Sequence, residues 1–131
     1  MTAAVATTTA AVAVVAALCW LRGRYVVVTV RGESMTPTYR PGDRLLVRRT
    51  RKVRRGECVV FAEAPEQALA LTAGWIVKRV VAVPGDDLPA GQLAVRGDNP
   101  ERSFDSRHFG PITTDRVLGV VLRPMRAPDG R

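Results

Sequence analysis

Hydrophobic positions change their rhythm once along this chain, at Arg22-Gly23-Arg24. Before that point, Thr2 to Leu21 is a run of Ala, Val, Thr and a few larger apolar residues without a single charge. Roughly 20 such residues span ~30 Å as a helix, enough to cross the hydrocarbon core of a bilayer. After it the pattern is that of strands. Tyr25–Val30, Arg44–Val47, Glu57–Phe61, Trp75–Val83, Gln92–Val95 and Val117–Leu122 are apolar or alternating runs rich in Val. Pro41-Gly42-Asp43, Arg55-Gly56-Glu57, Pro84-Gly85-Asp86 and Gly97-Asp98-Asn99-Pro100 punctuate them as turns. The prediction is an all-β domain of about a hundred residues behind one N-terminal transmembrane helix. Residues 64–74 read as an Ala-rich loop or short helix, 48–55 as a solvated hairpin loop, and 126–131 as a frayed tail.

Charge sharpens the first half of this picture. The formal net charge is +8, which suits anionic lipid or nucleic acid; with an apolar segment in the same chain, membrane lipid is the expected partner and nucleic acid is not. No positive stretch precedes the apolar run, as it would in a secretory signal, so an uncleaved anchor is expected, with Trp20 and Tyr25 at the interface. Because Ala and Thr dominate the run, a marginal span and a cleaved signal remain alternatives. Cys19 in the apolar run and Cys58 in a strand are not expected to pair, and no ligand spacing points to a metal or cofactor.

Two places carry candidate chemistry. Gly32-Glu33-Ser34-Met35-Thr36-Pro37-Thr38 follows a strand, and its Gly and Pro would hold Ser34 on a fixed loop with a free amide. A serine in such a loop is also an ordinary exposed residue. In Trp75–Val83, alternation places Ile76, Lys78, Val80 and Ala82 on one face, so Lys78 shares its side with aliphatic residues. Of twenty basic residues only Lys52 and Lys78 are lysines. Arginine cannot lose its proton in a protein and lysine can, the more easily when buried. The other reading is an edge lysine that snorkels its amine to water.

From Gly32 onward the motifs taken together resemble the bacterial and organellar type I signal peptidases. Gly32 to Thr38 is similar to the nucleophile box, and Gly42-Asp43-Arg44-Leu45-Leu46-Val47 to the strand after it. Lys78-Arg79-Val80-Val81-Ala82-Val83-Pro84-Gly85-Asp86 is similar to the lysine box. Gly97-Asp98-Asn99, Ser103-Phe104-Asp105-Ser106-Arg107 and Phe109-Gly110-Pro111-Ile112 resemble the C-terminal box. The resemblance implies a signal-peptidase-like antiparallel β-sheet or partial barrel, with an anchor over 1–22, a peptidase domain over 23–125 and a tail over 126–131. It also implies Ser34 as nucleophile, Lys78 as general base, and Ser103 as the hydrogen-bond partner that orients the lysine. Asp105 and Arg107 would brace the site as an ion pair, with Asp98 and Arg79 in supporting positions. Met35, Ile76 and Val77 would line the substrate pockets.

The function so implied is removal of N-terminal signal or leader peptides from precursor proteins by a single-pass membrane serine endopeptidase. Only Asp87 to Arg96 separates the lysine and C-terminal boxes, which suggests a minimal form and a maturation protease with few clients as an alternative. The resemblance puts the catalytic domain outside the cytoplasm, whereas Arg22 and Arg24 beyond the apolar run argue for the opposite orientation. Where many relatives have a hydroxyl donor for the oxyanion, this chain has Gly32, so a backbone amide is expected to serve. His108, the single histidine, is not expected to take part. A membrane-tethered basic β module that binds nucleic acid or anionic lipid is the reading from another class.

Overall fold

The computed structural model describes residues 1–63 and 74–125. The Ala-rich stretch 64–73 and the tail 126–131 lie outside the described residues. Helix α1, Thr2–Arg24, runs two residues beyond the expected anchor boundary and ends on Arg22 and Arg24. It buries no residue against the domain, and its mean hydropathy reaches 2.0. A helix that is apolar all round and packs on nothing is suited to a bilayer rather than to a core. Its polar side chains are satisfied locally: the hydroxyls of Thr8 and Thr9 donate to the carbonyls of Ala4 and Val5 at 2.8 and 2.9 Å. That bonding removes the main cost of putting threonine into hydrocarbon. At the far end the Arg24 guanidinium lies 4.9 Å from the centre of the Trp20 ring, an arrangement at home at a membrane interface.

The remainder is one antiparallel sheet of seven strands. They are β1 (Tyr25–Thr29), β2 (Arg44–Arg49), β3 (Cys58–Ala62), β4 (Trp75–Ala82), β5 (Gln92–Arg96), β6 (Ile112–Thr113) and β7 (Val117–Pro124). All six runs expected as strands form. The two-residue β6, which extends the sheet beyond β5, had too little sequence to announce itself. Spatial order is β1-β2-β7-β3-β4-β5-β6. One expectation is corrected here: β7 lies between β2 and β3, so the basic segment 48–55 is exposed but crosses between non-adjacent strands and is no hairpin loop. Local pattern could not reveal this, because β7 enters the sheet from more than fifty residues away.

Every residue of β3 is buried, as its unbroken apolar run demands of a strand covered on both faces. Val60 packs with Val28, Val30, Met35, Leu45, Val47 and Val77 in one cluster. Its neighbours Val59 and Phe61 point the other way, into a second cluster with Val80, Leu93, Val95, Ile112, Val117 and Val120. Two cores on opposite sides of one curved sheet are how so short a chain shields a central strand. Cys19 and Cys58 are both free thiols.

Candidate active site

The loop between β1 and β2 is closed at its neck by backbone bonds, Val30 N to Asp43 O at 2.8 Å and Gly42 N to Val30 O at 2.9 Å. Gly32 has φ +74°, the left-handed turn that a side chain would resist. Met35 is driven into the first core cluster at 1% exposure and fixes the loop like a peg. Ser34, one residue earlier, stays half-buried at the surface. Its backbone amide makes no internal hydrogen bond among the described residues.

Lys78 sits in β4 opposite Val59 of β3 and is 4% exposed. Burial pulls its amine below the ordinary lysine range; the Asp105 carboxylate offsets part of this and Arg107 adds to it. The amine donates to Ser103 Oγ at 3.1 Å, and Ser103 donates to Asp105 Oδ2 at 2.8 Å. Asp105 is fully buried. Burial alone would raise its pKa, but donors surround it and hold it well below the usual carboxylate range. Those donors are Arg107 through Nε at 2.9 Å, the Gly97 amide at 3.1 Å and the Ser103 hydroxyl. An ionised carboxylate only accepts, which fixes the direction of the chain from lysine to serine to aspartate.

A second bracket ties the Ser34 loop to β4. Arg79 reaches Asp98 through Nε at 2.8 Å and a terminal guanidinium nitrogen at 2.6 Å. Thr38, at the end of the Ser34 loop, donates to the same carboxylate at 2.5 Å. The Arg79 bond first, and the Thr38 bond with it, depress the Asp98 pKa against its partial burial. The next residue matters as much. Asn99 gives its backbone amide to Ser34 O at 2.9 Å, and its side chain to Glu33 O and Thr36 Oγ1 at 3.1 and 2.9 Å. Gly97 permits this closeness, since a Cβ there would lie 2.5 Å from Ser34 O and against Ser103 Oγ. In the sequence Gly97 and Asn99 mark a turn and belong to the stretch that resembles the C-terminal box; what each touches is set by neighbours across space.

Ser34 and Lys78 open onto one cavity of about 630 Å³. Met35, Ile76 and Val77 line it, and so do Val30, Phe61 and Trp75. Phe104 and Phe109, which the sequence did not single out, form an aromatic lip with ring centres 5.5 Å apart. His108 is held elsewhere. Its Nδ1 accepts from the Asp105 amide at 3.2 Å and its ring stacks on Phe104, a capping role for the short helix α2 (Ser106–Phe109).

A buried lysine, a loop serine on the same cavity and a serine–aspartate–arginine brace form a hydrolase-like constellation. The family model "Signal peptidase, peptidase S26" matches residues 1–88 and 87–125, nearly the whole chain. The chain belongs to the S26 signal peptidase family. Signal peptidase I V of Bacillus subtilis is 26% identical over 160 residues, covering 84% of this chain and 91% of that protein. Mitochondrial inner membrane protease subunit 2 of Mus musculus is 34% identical over 125 residues, covering 78% and 67%. Signal peptidase IB of Staphylococcus aureus is 26% identical over 166 residues, covering 84% and 83%. Both bacterial and organellar members of the family thus align along most of this peptidase, and its N-terminal apolar helix fits the membrane setting in the mitochondrial relative's name.

Proposed function

We propose that this chain is a serine endopeptidase that removes N-terminal signal or leader peptides from precursor proteins at a membrane, with Ser34 as nucleophile and Lys78 as general base. The observation that carries the reading is a buried amine whose acidity is raised by desolvation, on the same cavity as a loop hydroxyl. In its neutral form the amine has two N–H groups and one lone pair. One N–H is committed to Ser103, which leaves the lone pair free to take the Ser34 proton as the hydroxyl attacks the scissile carbonyl. The ammonium so formed protonates the departing amine, and a water activated by the same lysine then releases the acyl group from Ser34. The unengaged Ser34 amide is the donor for the oxyanion.

Ser103 orients the lysine, and the Asp105–Arg107 pair holds Ser103; Arg79 and Asp98 hold the nucleophile loop. Met35, Ile76 and Val77 shape apolar pockets for small side chains before the cut, and Phe104 and Phe109 extend that surface. Residues 1–22 serve as anchor and 23–125 as the peptidase domain. The domain faces the outer side of the membrane, where the cut sites of exported precursors emerge. A narrower client range is a second reading, favoured by the short connection 83–91 between β4 and β5.

The test is cleavage, in detergent, of a peptide with alanines one and three residues before the bond. Wild type is expected to cut it, whereas Ser34→Ala, Lys78→Ala and Lys78→Arg lose about a thousandfold or more with unchanged circular dichroism. Unimpaired cleavage by Lys78→Ala would remove the assignment. Efficient processing of a broad precursor panel would remove the narrow-client reading alone.

A further inference from the structure

A second cleft lies away from the peptidase cavity, at the foot of α1. It is lined by Arg24, Arg48, Arg49, Arg51, Lys52 and Arg54, with Glu57 as the one carboxylate among its walls. None of these six cations forms an ion pair among the described residues, whereas the adjacent Arg55 is taken by Asp86. Register explains the position. Tyr25, the first residue after α1, pairs with Arg48, so β2 runs out into 49–54 at the level where the apolar helix ends. Val53 packs against the second core cluster, and Thr50 Oγ1 accepts from the Lys52 amide at 3.1 Å. The segment is therefore a held wall, with its cations turned outward.

We propose that this cleft binds the headgroups of anionic phospholipids in the membrane that α1 enters. Six like charges with no ion-pair partner among the described residues repel one another, and a counter-anion relieves that cost. Of the anions available, lipid phosphates are fixed at the depth of Arg24, the residue shared by helix and cleft. Each basic side chain near an anionic surface adds attraction that salt screens within a Debye length. Engagement would hold the sheet against the bilayer and set the orientation of the peptidase cavity. The inference rests on the helix and the cleft and does not depend on the proteolytic reading.

The test is native mass spectrometry of the full chain released from detergent micelles containing equal amounts of phosphatidylglycerol and phosphatidylcholine. Wild type is expected to retain phosphatidylglycerol in at least about tenfold excess. The Arg49→Gln, Arg51→Gln, Arg54→Gln triple variant, altered only at exposed positions, loses most of that excess. The charge-matched control Arg40→Gln, Arg96→Gln, Arg123→Gln, also exposed and outside the cleft, keeps it. Equal retention of the two lipids by wild type, or equal loss in both triple variants, overturns the proposal. Displacement of phosphatidylglycerol by a short single-stranded oligonucleotide at equal concentration also overturns it, since the cleft would then be a nucleic-acid surface.

Discussion

Ser103 Oγ lies 3.1 Å from the Lys78 amine and can only accept from it. Its one proton is spent on Asp105, and the Gly97 amide occupies part of its remaining acceptor capacity at 3.1 Å. The lysine is thereby offered an acceptor and denied a donor, which keeps its lone pair available elsewhere. Ser103→Ala should therefore lower kcat about 10- to 100-fold with little change in KM. The ascending limb of the pH profile should also move to lower pH, because the ammonium loses its acceptor. Steady-state kinetics across pH would check both; a change in KM alone would show Ser103 to be a substrate contact.

Burial of the Lys78 amine is also a liability to the fold. Its folded pKa is lowered, so between that value and the ordinary ~10.4 of an unfolded lysine the unfolded chain binds more protons. Stability therefore rises with pH through this window, and the cost of the buried charge is fully present below it. The kcat/KM profile should likewise climb through the lowered pKa of the free enzyme's lysine. Lys78→Met removes the charge while the Asp105–Arg107 pair stays whole. It should abolish activity and raise stability at neutral pH by about 1 kcal/mol, as measured by urea unfolding in detergent.

Gly97 is the point where three parts of the site touch. A methyl group there would press on Ser103 Oγ and on the Ser34 carbonyl oxygen, 2.5 Å away. Gly97→Ala should cost about 2–3 kcal/mol and at least about a hundredfold in kcat, since even a small displacement separates reacting groups. Near-normal kinetics in this variant would mean that the Ser34 loop and the 97–103 segment move independently.

How far the sequence could be read follows from the reach of each signal. Alternation within β4 foretold that Lys78 shares the buried face with Val80, because a strand's period is local. The Arg107–Asp105 pair, though only two positions apart, was expected from the resemblance of the C-terminal box and not from any local pattern. Asn99 and Thr36 are 63 positions apart, and nothing in either neighbourhood announces that they meet. The insertion of β7 between β2 and β3 is the same kind of fact. It turned an expected hairpin loop at 48–55 into a crossing segment, and in doing so gathered the arginines at the foot of α1.

Asp105 should dominate the acid limb of stability. Its folded pKa is depressed well below the ordinary ~3.9. Its contribution is accordingly complete above that ordinary value and is lost as pH falls toward the folded one. Asp105→Asn keeps the shape but leaves Arg107 and the Ser103 hydroxyl without their anionic acceptor, at a cost of about 2–4 kcal/mol near neutral pH. The difference from wild type should shrink as the pH is lowered below the usual aspartate range. An offset that stayed constant in acid would mean that the carboxylate's charge is not what stabilises the site.

Asp98 is placed to couple the Ser34 loop to the lysine strand, and coupling can be measured directly. It accepts from Arg79 at 2.8 and 2.6 Å and from Thr38 at 2.5 Å. If one carboxylate holds both partners, removing Thr38's hydroxyl should matter only while Asp98 is present. A cycle of Thr38→Val, Asp98→Ala and the double variant should give an interaction of about 1–2 kcal/mol in unfolding. The same cycle read in kcat should be non-additive in the same sense, because a loosened loop carries Ser34 away from Lys78, its proposed base, whichever partner is lost. Additive effects in stability and in kcat would show that Thr38 and Asp98 act separately, and that the Ser34 loop is held by Met35 and Asn99 alone.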